Sequence, residues 1–67
     1  MEAFQQRVVD EKTDLDGKIE RLDAFIQGGI YLKLPADEQE RLKTQVHWMK
    51  KYTEVLGERI AAFTQSA

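Results

Sequence analysis

The sequence has no cysteine and only one histidine. Without cysteine, neither a disulfide framework nor a thiolate zinc site is available, and one histidine cannot make a histidine-rich metal site. A chain of 67 residues is also short enough that a single hydrophobic core is usually marginal. We therefore expect one domain over residues 1–67, held together by helix packing and self-association, with no cofactor.

Long apolar runs and a strong excess of one charge are also missing. No apolar run approaches the roughly 18–20 residues of a membrane span, so we expect a cytoplasmic protein without a membrane partner. Ten basic and twelve acidic side chains leave a net charge of −2, which argues against a binder of duplex nucleic acid. The stretch 41–51 is nevertheless locally positive and contains no acid; its basic residues are Arg41, Lys43, His47, Lys50 and Lys51.

Apolar residues recur at steps of three and four in two long segments, which is the periodicity of amphipathic helices. The first segment carries Phe4, Val8, Leu15, Ile19, Leu22 and Ile26, and the second carries Leu42, Val46, Met49, Leu56, Ile60 and Phe63. Gly28 is suited to end the first helix, and Pro35 is suited to the first turn of the second. The pattern predicts an all-α fold with helices at about 2–27 and 35–65, the first continuing through Gly17.

The segment 28–34 between the helices is short and apolar. It has too few residues for another element, so we expect a loop whose side chains cover the hairpin end, namely Ile30, Tyr31, Leu32 and Leu34. A short connection makes the helices antiparallel neighbours. Matching the two stripes places Phe4 opposite Ile60, Val8 opposite Leu56 and Leu15 opposite Met49. Between these last two pairs a polar layer of Glu11, Lys12, Tyr52 and Thr53 either fixes the register or contacts a ligand.

The second helix is apolar over an arc too wide for a two-helix hairpin. Trp48 and Val55 lie roughly 120–140° from Leu42 around the helix, and Tyr52 lies between them and the hairpin-facing residues. A hairpin covers one stripe on each helix, so this second stripe would be left as an association surface. We expect a homo-oligomer, either a four-helix dimer or a higher bundle. Its predicted interface residues are Phe4, Val8, Trp48, Val55 and Phe63.

Cations flank the aromatic residues of this second stripe. Arg41, Lys51 and Arg59 could pair with phosphates, and Trp48 and Tyr52 could stack on bases. This combination favours a ligand site for a small anionic nucleotide. Under the alternative interpretation, Trp48 is an interface anchor and the lysines form an ordinary solvated face.

No pattern favours catalysis. His47 is predicted on the outer face of the second helix, without an acidic or nucleophilic partner. Gly28 and Gly29 end a helix instead of opening one, so they do not form a phosphate loop. We therefore expect that the protein is not an enzyme.

Two segments taken together resemble a known family. They are Lys18-Ile19-x-x-Leu22-x-x-Phe25-Ile26 and Gln45-x-x-x-Met49-x-x-Tyr52-x-x-x-Leu56-x-x-Arg59-Ile60. This arrangement, over roughly residues 7–63, resembles very short phage proteins related to a crAss-like phage product. The resemblance implies a phage or prophage accessory protein in the bacterial cytoplasm. It also makes Lys18, Gln45, Tyr52 and Arg59 the characteristic polar positions, and so adds Gln45 to the ligand-binding set, whereas Gly17 departs from the expected charged residue.

In size and architecture the predicted hairpin also resembles phage "sponge" proteins, which oligomerise and sequester cyclic-nucleotide or NAD-derived signals of bacterial immunity. This resemblance implies our first hypothesis, a protein that holds such a nucleotide in pockets between subunits. A second hypothesis is an inhibitor or adaptor that docks on a host defence protein through the stripe from Trp48 to Val55. A third is a structural self-assembly module without a ligand.

Overall fold

The computed structural model describes residues 1–65 and contains two long helices packed side by side. Helix α1 spans Ala3–Ile26, a one-turn helix α2 spans Gly29–Leu32, and helix α3 spans Ala36–Gln65. The described residues form a rod of 50 × 15 × 14 Å. No strand occurs among them, so the predicted all-α class is confirmed.

The helix ends follow from local hydrogen bonds. The Glu2 backbone N–H donates to Gln5 Oε1 at 2.8 Å, which satisfies one of the free donors at the start of α1. At the start of α3, the Gln39 N–H donates to the Pro35 carbonyl at 3.0 Å. Asp37 and Glu38 lie in the first turn of α3, where the helix dipole favours negative charge.

Helix α1 is continuous across Gly17, as the unbroken apolar phase predicted. Glycine costs about 1 kcal/mol relative to alanine in a helix interior. The helix nevertheless persists, because residues on both sides of Gly17 pack on α3. A Cβ placed on Gly17 would lie 3.4 Å from the Arg21 guanidinium, an ordinary contact with a flexible side chain.

The connection between the long helices differs from the predicted loop, because it contains a full helical turn. Gly28 has φ −91° and ψ 170°, so it is extended and precedes α2, instead of taking the left-handed conformation of a helix-ending glycine. Tyr31 is 4% exposed, and its hydroxyl donates to the Gln39 carbonyl at 3.2 Å. The prediction that four apolar side chains cover the hairpin end is wrong for Ile30 and Leu32, which are exposed because one helical turn directs only one side inward.

The core lies between α1 and α3. Val8, Leu15 and Leu56 are buried at its centre, and four partly buried side chains pack against them: Ile19, Met49, Ile60 and Phe63. Phe4 makes an edge-to-face contact with Phe63, with ring centroids 5.9 Å apart. The two helices are therefore antiparallel, as predicted.

The predicted register is wrong by about one helical turn. Phe4 packs on Phe63 instead of Ile60, and Asp16, not Glu11, bonds Thr53. The two displacements, of three and five residues, are in the same direction and lie on either side of the 3.6 residues of a turn, whereas the predicted proximity of Lys12 to Thr53 is confirmed. A slip of one turn is hard to exclude from sequence, since it returns each apolar stripe to the same angular position.

Candidate functional site

A single exposed face of α3 carries most of the predicted ligand-binding residues. We call this face the outer stripe, and define it as Arg41, Gln45, Trp48, Tyr52, Val55 and Arg59. The steps along it are four, three, four, three and four residues, which keeps all six within a narrow arc of an ideal helix. Trp48 is 62% exposed, Tyr52 45% and Val55 50%. None of these three is needed to close the hairpin.

Two cations of the predicted site are held loosely by acids of their own helix. The Arg41 guanidinium lies 2.8 Å from Glu38 and 3.6 Å from Asp37. Lys51 Nζ lies 3.6 Å from Glu54, and lies about 80° around the helix from the centre of the outer stripe. The spacing of three and four residues between Arg41 and these acids is itself a sequence signal for ion pairing.

Arg59 has a different environment from Arg41. Within residues 1–65 no carboxylate lies within ion-pairing distance of its guanidinium. An exposed arginine with no acid offers all five N–H donors to an external anion. Of the two arginines in the outer stripe, Arg59 therefore has fewer ion pairs within the described residues than Arg41.

The side of the outer stripe near Val55 borders an open depression. It is lined by Lys51, Glu54, Val55, Gly57, Glu58 and Ala61. All of these residues come from α3, so the depression has a floor but no second wall. A ligand here would be enclosed only when another molecule packs against α3.

The polar layer that joins α1 to α3 is partly exposed, and its members bond to one another. Lys12 donates to Asp16 at 2.8 Å and to Thr53 at 3.2 Å, and Thr53 donates to Asp16. The hydrogen bonds from Lys12 and then Thr53 hold the pKa of Asp16 below the ordinary value of an aspartate carboxyl. Glu11 and Tyr52 are exposed instead. This layer therefore links α1 to α3, and fits the interpretation in which it fixes the register.

The predicted interface residues separate into two groups. Val8 is 6% exposed and belongs to the hairpin core, so it has no surface left for another chain. Phe4 and Phe63 pack on each other within one chain. Trp48 and Val55 point away from the core and are exposed, and Phe4 also remains 51% exposed beside its contact with Phe63. The sequence pattern placed both groups in one interface because Val8 and Trp48 are both apolar residues at helical spacing. That spacing does not distinguish a core residue from an exposed one.

The residues considered for catalysis or metal binding remain apart. The His47 ring contacts the Trp48 edge-to-face, with centroids 4.9 Å apart. In the part of the chain that the structure describes, no group of three His, Cys, Asp or Glu could hold a metal ion. Over the same residues, none of the helices has the length and apolarity needed to cross a membrane.

Comparison with known proteins identifies the relatives of this chain. It is 43% identical over 63 residues to an uncharacterized 7.5 kDa protein from the denB–rIIB intergenic region of Enterobacteria phage T4, covering 94% of this chain and 98% of the phage protein. No solved structure matches. The predicted relation to short phage proteins is confirmed at this level, whereas the relation to a crAss-like phage product stays a prediction. The family model described as Sequestin matches residues 2–62, so the chain belongs to the Sequestin family.

Proposed function

We propose that this protein is a phage accessory protein that counters bacterial immunity by sequestering a small anionic nucleotide signal. It acts in the bacterial cytoplasm, by stoichiometric binding in pockets between subunits. No bond of the ligand is made or broken. The free concentration of the signal falls because each bound molecule is removed from its receptor.

The observation that carries this proposal is the composition of the outer stripe. Arg41 and Arg59 supply cations, and Trp48 and Tyr52 supply aromatic faces on the same exposed side of α3. Guanidinium groups bind phosphate through paired, charge-assisted hydrogen bonds. Stacking of a base on an aromatic ring contributes about 1–3 kcal/mol. A nucleotide combines the two features that this face can recognise.

The electrostatics of the stripe favour exchange with an incoming phosphate. Arg59 has no carboxylate partner among residues 1–65, and the Arg41 side chain is 64% exposed despite its two acids. Exposed ion pairs contribute only about 0–1 kcal/mol. Releasing Arg41 from Asp37 and Glu38 therefore costs little compared with the bonds that a phosphate offers.

Family membership supports the same proposal from a separate direction. The family name denotes sequestration, and the T4 relative places a similar chain in a phage genome. The absence of a predicted catalytic group suits binding without turnover. A sequestering protein needs only affinity and abundance, both of which a 67-residue chain can supply.

A ligand panel tests the proposal. Cyclic di- and trinucleotides, cyclic ADP-ribose isomers and plain mononucleotides are each added to the protein, and its thermal unfolding is recorded. A ligand at 100 times its dissociation constant adds about 2.7 kcal/mol to the unfolding free energy. The ligand is then released by heat and analysed by mass spectrometry. Recovery of the intact nucleotide supports sequestration, whereas recovery of a cleaved product contradicts it, and so does a panel without any thermal shift.

A matched pair of variants locates the effect on the outer stripe. Arg59→Ala should weaken binding at least tenfold and leave the unfolding temperature of the ligand-free protein unchanged. Lys43→Ala removes a cation from another face of the same helix, where it lies 3.8 Å from Glu40, and should leave binding intact. Equal losses in both variants would indicate attraction by overall charge instead of a site.

A second candidate function is inhibition of a host defence protein. The exposure of the Trp48 ring favours it, because tryptophan is enriched among the residues that dominate protein interfaces. Pulldown from bacterial lysate with the wild type and with Trp48→Ala separates the two functions. A host protein captured only by the wild type, together with no response in the ligand panel, supports docking. The self-assembly hypothesis predicts neither a captured protein nor a ligand response.

A further inference from the structure

The end of the hairpin at which the chain reverses carries two large apolar side chains on its outside. Ile30 is 64% exposed and Leu32 is 74% exposed. Both belong to α2, the single turn between the long helices, and we call these two residues the apolar tip. Turns between helices are usually built from polar residues and glycine. Two exposed aliphatic side chains in this position are therefore a surface feature that the fold itself does not require.

Hydrogen bonds hold the backbone of the apolar tip in one conformation. Tyr31, between the two tip residues, is 4% exposed, and its hydroxyl donates to the Gln39 carbonyl at 3.2 Å. The side-chain amide of Gln39 donates to the Leu34 carbonyl at 3.0 Å. The Lys33 N–H donates to the Ile30 carbonyl, also at 3.0 Å. A partner that binds this ordered turn loses little conformational entropy in it.

The charges beside the apolar tip are unevenly compensated. Asp37 and Glu38, in the first turn of α3, lie 3.6 and 2.8 Å from the Arg41 guanidinium. Lys33 follows α2 directly and is exposed. Within residues 1–65 no carboxylate lies within ion-pairing distance of its ammonium group. The border of the tip is therefore complementary to a surface that presents a carboxylate.

The end of the rod is too small for a second copy to cover the apolar tip by flat contact. The described residues form a rod with a section of 15 × 14 Å. Two ends in contact would bury about 200 Å² on each copy, whereas a stable interface buries about 800 Å² per partner. The contact would also bring together the Lys33 side chains of both copies, and like charges at an interface oppose association.

A lipid surface is also too weak a partner for the apolar tip. The Ile30 and Leu32 side chains together contain about eight carbons, fewer than a myristoyl chain, and one myristoyl chain gives only marginal and reversible membrane binding. Attraction to anionic lipid requires a cluster of roughly four to eight basic residues. At the tip of the described chain only Lys33 lacks a carboxylate. A protein cleft differs from both alternatives, because its walls can contact the sides of the tip as well as its end.

We propose that the apolar tip docks in an apolar cleft of a protein of the bacterial host, with a carboxylate at the rim of the cleft. Ile30 and Leu32 enter the cleft, and Lys33 pairs with the rim carboxylate. The tip belongs to α2 and its flank, whereas the outer stripe belongs to α3. This docking surface is therefore separate from the nucleotide site and does not rest on the proposed function.

Photo-crosslinking in bacterial host cells identifies the partner. Benzoylphenylalanine is incorporated at the position of Leu32 in one sample and at the position of Lys43 in a matched control. Lys43 is an exposed residue of α3 that lies 3.8 Å from Glu40. Position 32 should cross-link to one bacterial protein that position 43 does not capture. Mass spectrometry of the cross-linked peptides should place the contact in a cleft lined by apolar side chains, with an aspartate or glutamate at its edge.

Binding between the purified proteins then tests which residues hold the complex. Ile30→Ser and Leu32→Ser should each weaken binding at least tenfold and leave the unfolding temperature unchanged, because both side chains are exposed. Lys33→Glu should weaken binding at least threefold, and this loss should shrink as salt is added. Trp48→Ala is the control. Its side chain lies on the outer stripe, so this variant should bind as tightly as the wild type.

Each of the other results overturns the proposal. Cross-links from position 32 only to a second copy, only to lipid, or to no bacterial protein show that no host cleft receives the tip. A captured protein that binds Ile30→Ser and Leu32→Ser as tightly as the wild type shows that the tip does not hold it. A contact that maps to a flat or basic surface excludes the cleft. Failure of the nucleotide panel alone removes the sequestering function and leaves the docking surface.

Discussion

The inner face and the outer stripe of α3 both carry large apolar side chains, but in opposite environments. Leu56 on the inner face is 0% exposed, whereas the preceding Val55 on the outer stripe is 50% exposed. Both are aliphatic, and both recur at helical spacing with other apolar residues. The difference is that α1 covers one face, whereas the other face stays exposed among the described residues. The comparison shows that apolar periodicity identifies helical faces that carry apolar side chains, but not which of those faces the hairpin buries.

The polar residues of the two faces differ in the same way. On the inner side, Lys12, Asp16 and Thr53 satisfy one another between the helices. On the outer stripe, Arg59 has no such partner within the described residues. Polar groups that pair across the two helices stabilise the fold, whereas the guanidinium of Arg59 keeps its N–H donors for other acceptors.

Truncating one side chain on each face tests this difference directly, and the largest loss of stability is expected on the inner face. Leu56→Ala removes a fully buried side chain and should lower the unfolding free energy by about 2–5 kcal/mol, because it leaves a cavity in the core between α1 and α3. Urea denaturation measures this loss. For a small domain a loss of this size can unfold the protein at 25 °C, which circular dichroism would reveal directly.

Val55→Ala is the control for Leu56→Ala. It should change the unfolding free energy by no more than about 0.5 kcal/mol at concentrations where the chain is monomeric. At higher concentrations its effect should grow if a second copy covers the outer stripe. Equal losses for the two variants at low concentration would contradict the assignment of inner and outer faces.

A smaller effect, of opposite sign, is expected on α1. Gly17→Ala should raise the unfolding free energy by up to about 1 kcal/mol, because alanine is the better helix former and loses less backbone entropy on folding. The new methyl group meets only the flexible end of Arg21 at 3.4 Å. Thermal denaturation checks the sign. A lower melting temperature would imply that Gly17 has a role beyond the helix, such as close approach by another chain.

The smallest expected effect concerns the polar layer and depends on pH. Because the pKa of Asp16 is lowered in the folded protein, its ionised form contributes stability at pH values above the ordinary pKa of an aspartate carboxyl. That contribution is lost as the pH falls through the lower folded pKa. Asp16→Asn should therefore be less stable than the wild type at neutral pH, and the two should converge at strongly acidic pH. A difference that persisted unchanged into acid would exclude the carboxylate charge as its cause.

Several features of the fold were accessible from sequence because they are local. The phase of the apolar residues predicted two long helices, and the continuity across Gly17 followed from the same phase. The angular distance of Trp48 and Val55 from Leu42 predicted that both would lie outside the hairpin core. These predictions depend only on the 100° turn per residue, which every α-helix obeys.

Other features depended on contacts between segments distant in sequence. The register slipped by one turn because Phe4 can pack on either Ile60 or Phe63 with little change in apolar contact. Helix α2 was missed because four residues are too few to show a period. Val8 was assigned to an interface between chains because sequence cannot say which apolar face its own hairpin covers.

The sequence by itself determined the secondary structure and the angular order of side chains on each helix, since both follow from local backbone geometry and side-chain chemistry. The tertiary structure decided the register, the burial of Tyr31 against Gln39, and the separation of the outer stripe from the core. Those outcomes depend on which surfaces two helices of fixed shape can bring into contact. The physical reason is that hydrophobic burial has no direction of its own, so only packing selects among the faces and registers that the sequence allows.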